Sequence, residues 1–158
     1  MISMNKAFPP SKISFIVATG FGLGLIKKAP GTFGSLLALP LGLALQHFSL
    51  PMATLIFFLL CLACIPVIAT TEKQLGEHDS SKIVIDEILG GAIPVYFFSQ
   101  TALQLLLCFL LFRLFDIVKK GPVGYVDKNV GGALGVLLDD LVAGAMAAVV
   151  LFAVYSLI

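Results

Sequence analysis

Charge is what this chain has least of. Lys, Arg, Asp and Glu make up 12% of it, against about 25% in ordinary globular domains. Residues 36–71, 88–112 and 141–158 carry none of them, and His47 is the one imidazole in those runs. A soluble monomer built this way would be short of polar surface. With 59% hydrophobic residues and mean hydropathy +1.06, the chain is suited to lipid. A formal net charge of +1 gives no electrostatic reason to expect a nucleic-acid partner.

Other shortages exclude whole chemistries. There are three cysteines, Cys61, Cys64 and Cys108, each inside an apolar run. Cys61 and Cys64 have redox-motif spacing, but no cation lies near them in sequence to stabilise a thiolate. They read as small core hydrophobes, and no disulfide framework is implied. His47 and His78 are the only histidines, which argues against a histidine-based lipid phosphatase. The Cys-x5-Arg phosphatase loop, the Asp-x-Asp-x-Thr phosphorylation motif and the Asp-Gly-x2-Ala-Arg motif of lipid head-group transferases are all missing. Gly20, Gly22 and Gly24 have neither dinucleotide-fingerprint nor P-loop spacing, so they read as a closely packed segment.

What is present is concentrated. All nine acidic residues fall within 72–87 and 116–140. Carboxylates at the ends of apolar segments are costly unless something positive binds them. At 158 residues the chain is read as a single domain, 1–158. Lys6 and Lys12 before the apolar stretch 13–26 imitate a signal peptide. Glycines interrupt that stretch and no cleavage site follows, so the segment is expected in the mature protein.

The pattern predicts an all-α, membrane-embedded bundle of about six helices, built from two hairpins plus a C-terminal helix. Thr32 is the expected N-cap of a helix over 33–48, and Ser49-Leu50-Pro51 turns into a second over 52–70. Sixteen residues rise about 24 Å, short of a hydrocarbon core of roughly 30 Å, so a hairpin fits better than one kinked span. Asp79-Ser80-Ser81 offer caps for the next helix, with Asp86-Glu87 in its second turn. Ser99-Gln100-Thr101 mark a turn into a helix over 102–118. A glycine-rich loop, 121–135, then precedes a last helix from about Leu134. Two hairpins keep every Lys- and Arg-bearing segment on one face, which the positive-inside rule makes cytoplasmic.

Three acidic groups stand at apolar helix ends: Asp86-Glu87, Asp116 and Asp139-Asp140. Carboxylates from separate helices are a common way to hold Mg²⁺ beside a phosphate. For Asp86 an ion pair with Lys82 is a credible structural alternative. Asp139-Asp140 have no cation within ten residues, and metal or catalytic use is the expectation there. Arg113, Asp116 and Lys120 align on one helix face, beside Lys119. That spacing fits an interfacial ion-pair stripe or a phosphate grip, and does not choose. Pro30-Gly31-Thr32 entering a helix suits an anion at its free N–H groups.

Four blocks then appear in order: Gly20-Phe21-Gly22-x-Gly24 through Pro30-Gly31-Thr32-x-Gly34-Ser35; Ile83-Val84-Ile85-Asp86-Glu87-x2-Gly90; Phe112-Arg113-x2-Asp116-x2-Lys119; and Asp127-Lys128-x3-Gly132-x2-Gly135-x3-Asp139-Asp140-x2-Ala143-Gly144. In these the chain resembles the phosphatidylglycerophosphatase A family. The resemblance implies a compact helical bundle with a central helix in the bacterial inner membrane. It also implies a Mg²⁺-dependent phosphatase converting phosphatidylglycerophosphate to phosphatidylglycerol. On that reading Asp86, Asp116, Asp139 and Asp140 are catalytic, and Asp86, Glu87, Asp139 and Asp140 hold one or two Mg²⁺. Arg113, Lys119, Lys28 and Thr32 bind phosphate, and attack is by an activated water. A phosphorylated aspartate intermediate stays open, and no oligomeric state is assigned. The rival classes are a divalent-cation carrier, which should show repeated halves, and a small structural subunit.

Overall fold

A computed structural model describes residues 12–157. Lys6 and the rest of 1–11 lie outside the described residues, as does Ile158. Every regular element described is helical: α1 Lys12–Ala18, a 3₁₀ turn Leu23–Leu25, α2 Pro30–Leu45, α3 Leu50–Leu75, α4 Ile85–Phe98, α5 Ala102–Val118, α6 Pro122–Asn129 and α7 Gly132–Ser156. The all-α expectation holds, with one more helix than expected. The addition is α6, inside the segment read as a loop. Gly121 at φ 63° turns the chain, Pro122 presets the first helical residue, and Val123 is fully buried.

Several boundaries differ from the sequence reading. α2 starts at Pro30, so Thr32 lies in its first turn and its amide donates to the Ala29 carbonyl at 3.0 Å. Helix α4 starts at Ile85, later than expected, which puts Asp86-Glu87 in the first turn. Ser80 does not cap it; its hydroxyl donates to Glu77 Oε2 at 2.9 Å. The Val84 amide donates instead to Ala18 at 2.9 Å, tying the loop to α1. By contrast the turn at 99–101 is as expected, with Thr101 capping α5 through the Gln104 amide.

Helix α4 is central, with α2, α5 and α7 packed around it and α3 on one side. Eight of its residues are buried, from Asp86 to Val95. α4 and α5 form the expected packed hairpin. α2 and α3 share a turn but diverge: α2 lies on α4, whereas α3 lies on α1 and α7. The far ends of α2 and α4 are tied by Gln46, whose Nε2 donates to the carbonyls of Val95 and Tyr96 and to Ser99 Oγ at 2.9–3.0 Å.

Helices α3 and α7 are long and apolar enough to cross a membrane by length and composition. At 26 and 25 residues they rise about 37–39 Å. The exposed surface of α3 is largely apolar along its middle: Leu55, Phe58, Leu59 and Leu62 each keep about half their area uncovered. A long apolar stretch with its face open is compatible with lipid contact.

Candidate active site

The site forms where α4 and α7 cross. A side chain at Gly90 would overlap the Asp140 carbonyl, and one at Gly144 would overlap the Gly90 carbonyl. The two backbones therefore touch, which only glycine permits. Asp86 lies one turn before Gly90, and Asp140 one turn before Gly144. Close crossing thus brings Asp86, Glu87 and Asp140 together, with one oxygen of each within 4.8 Å of the others. Asp86 and Glu87 occupy the first turn of α4, where the helix dipole favours negative charge. Asp86 Oδ1 and Glu87 Oε2 are nevertheless buried without any hydrogen-bond partner. The alternative of an Asp86–Lys82 pair is not realised among the described residues, because Lys82 precedes the helix.

Beside this cluster, α5 supplies Arg113. Its Nη1 is paired with Asp116 one turn on, donates to Ser35 Oγ at 3.3 Å and lies 4.0 Å from Glu87 Oε1. Its Nε is buried without a partner. Ser35 Oγ itself donates to the Gly31 carbonyl at 2.7 Å, which leaves a lone pair for the guanidinium. Of the two readings of the Arg113–Asp116–Lys120 stripe, the Arg113–Asp116 pair is present. Lys120 lies past the end of α5 and is exposed.

The acids do not all gather at one point. Asp116 is engaged by Arg113, and Asp139 by Lys119, whose Nζ lies 2.6 Å from Asp139 Oδ2 and 2.6 Å from Asp127 Oδ1. The other Asp139 oxygen accepts the Asp140 amide at 3.0 Å. Partial burial works against a charged Lys119. Its hydrogen bonds to Asp127 and Asp139 outweigh that and hold the ammonium above the usual lysine range. A polar cavity of about 30 Å³ opens here, lined by His78, Asp79, Asp127 and Asp139 among others. Lys28 is exposed and forms no ion pair among the described residues, and Thr32 is half-buried in the first turn of α2.

Sequence reasoning did not single out Ser35 or Asp127 for a role. Both act through partners 78 and 8 residues away, and only the Asp127–Lys119 spacing left any local trace. A larger cavity, about 250 Å³, lies at the other end of α4 between α3 and α4. Its lining, including Leu45, Ala53, Phe57, Ile93 and Phe97, is almost wholly apolar and offers no acid, base or cation.

Comparison with known proteins identifies the family of the chain. The family model described as Phosphatidylglycerophosphatase A matches residues 16–155. The chain is 38% identical over 159 aligned residues to a Haemophilus influenzae protein named Phosphatidylglycerophosphatase A, covering 96% of this chain and 97% of that one. It is 33% identical over 138 residues to the Escherichia coli protein of the same name, covering 87% and 80%. No solved structure matches the chain. By the family match over most of its length and by these relatives, the chain belongs to the phosphatidylglycerophosphatase A family.

Proposed function

We propose that this protein hydrolyses the terminal phosphate of phosphatidylglycerophosphate, releasing phosphatidylglycerol and phosphate in phospholipid biosynthesis. One observation carries the chemistry: three carboxylates from two helices converge, and two of their buried oxygens have no donor. Buried anions in that state call for a cation. The oxygen-only donor set suits a hard divalent ion such as Mg²⁺, with Asp86, Glu87 and Asp140 as its ligands. When bound, such an ion supplies positive charge to the phosphoryl oxygens and acidifies water.

The remaining roles belong to the chain's own side chains. Arg113, held by Asp116 and Ser35, presents a fixed guanidinium to the phosphoryl oxygens beside the acids. Lys119, steadied by Asp127 and Asp139 of the polar cavity's lining, sets a second positive charge beside them. Lys28, exposed just before α2, and Thr32, in the first turn, face the approaching anion with the positive end of the helix dipole. In the reaction the phosphorus–oxygen bond to glycerol breaks, water supplies the new oxygen on phosphorus, and the glycerol oxygen gains a proton.

The same geometry supports a reading of how the protein lies in the membrane. The acids, Arg113, Lys119 and α6 lie at one end of the bundle, and the turns at 46–49 and 99–101 at the other. With Arg113, Lys119, Lys120 and Lys128 at the first end, we read that end as cytoplasmic and the chain as a multi-pass protein of the bacterial inner membrane. Acyl chains remain in the bilayer while the head group enters the site.

Phosphate release from detergent-solubilised phospholipids tests the reading. Phosphatidylglycerophosphate should be cleaved with Mg²⁺ and spared in chelator. A folded protein that releases no phosphate from that lipid with Mg²⁺ would overturn it.

A further inference from the structure

The face of α2 that meets the site is bare. Gly31 and Ser35 lie one turn apart on it, and both are buried. An added Cβ at Gly31 would overlap Glu87 Oε1 and stand 3.2 Å from Arg113 Nη1. The carboxylate and the guanidinium, themselves 4.0 Å apart, therefore share the space a side chain would take. One turn on, the Ser35 hydroxyl is committed as a donor to Gly31 and accepts from that same Nη1.

We infer that Gly31 and Ser35 are positioning residues. Gly31 sets where the Glu87 carboxylate sits relative to Asp86 and Asp140, and Ser35 sets the orientation of Arg113. The inference rests on the proposed metal site, and it makes α2 a wall that aims two groups rather than a donor of amides alone. Groups that orient metal ligands typically change metal affinity or activity about 10–100-fold when altered.

The two residues should separate in experiment. Manganous ion binding to the purified, detergent-solubilised protein, read by electron paramagnetic resonance, reports the carboxylates without turnover. Gly31→Ala should weaken binding about tenfold or more. Glu87→Asp shortens the acid and leaves room for a Cβ. In that background Gly31→Ala should therefore have little further effect, a coupling that simple destabilisation does not produce. Gly42→Ala, which crowds Val95 at the other end of α2, should lower thermal stability and leave manganous affinity unchanged.

Ser35→Ala removes only the hydroxyl, so it keeps the test open should Gly31→Ala fail to fold. It should lower kcat about tenfold while KM and manganous affinity stay near wild type. Equal losses from Gly31→Ala with Glu or Asp at 87, or a neutral Ser35→Ala, would overturn the inference. Failure of the unmodified protein to bind the ion would overturn the metal reading first, and the inference with it.

Discussion

Asp139 and Asp140 are adjacent in the chain and face different partners. Asp139 accepts from Lys119 and from the Asp140 amide, whereas Asp140 turns toward Asp86 and Glu87. Successive helical residues point about 100° apart, so one step along α7 separates an ion-paired acid from one crowded by like charge.

The two should respond differently to loss of charge. Asp140→Asn should cut kcat by on the order of 10²–10³, the scale of losing one preorganised electrostatic contact. It should also raise the Tm of the metal-free protein, because a buried like-charge clash is relieved. Asp139→Asn should lower Tm, since Lys119 loses its more buried partner. Thermal unfolding with chelator present, alongside turnover, checks both signs.

Arg113→Lys keeps the charge and loses the planar fork. Lysine cannot hold Ser35 and Asp116 while facing a phosphate, so kcat should fall by about tenfold or more. Manganous affinity should be nearly unchanged. Lys73→Ala, on the exposed end of α3, should leave both intact. Steady-state kinetics with parallel ion binding decide.

Lys119 carries a pH signature. Its ionisation is raised above the ordinary lysine value by Asp127 and Asp139. The stabilisation from those pairs is complete below about pH 10.4, the unfolded value. It is lost as pH rises further, through the folded value. Tm should therefore show no step from Lys119 between pH 7 and 9, and should fall in strongly alkaline buffer. Lys119→Met should remove that part of the alkaline fall.

Topology is open to direct test. In a background without Cys61, Cys64 and Cys108, a single cysteine at Ser49 or Gln100 should react with an impermeant thiol reagent from the periplasmic side. One at Ser80 or Asn129 should not. External labelling at Asn129 would place α6 and Asp86-Glu87 on opposite faces and sink the shared site.

The helical class, the turn at 99–101 and the candidate acids were legible because they depend on local pattern: charge-free runs, polar breaks and carboxylates at run ends. α6 was hidden because eight residues with Gly121 before them, Gly124 among them and Gly131-Gly132 soon after read as loop, and its anchors are the burial of Val123 and the Asp127–Lys119 pair. The pairing of Lys119 with Asp139 spans 20 residues and that of Arg113 with Ser35 spans 78. No local spacing announces such contacts, so Asp139 looked unpaired and Ser35 had no visible role.

Pro94 sits inside α4 and donates no amide hydrogen. The carbonyl four residues earlier, at Gly90, thus lacks its ordinary helical partner, and it is this carbonyl that rests against Gly144. A carbonyl freed in this way can accept a weak Cα–H contact from the neighbouring helix. Substituting Pro94 with alanine, the best helix former, would hand the oxygen back to its own helix and slacken its hold on α7. The distance between Asp86 and Asp140, set one turn below, would loosen with it. Raising the helix propensity of this segment therefore acts on its packing against α7 as well as on the helix itself.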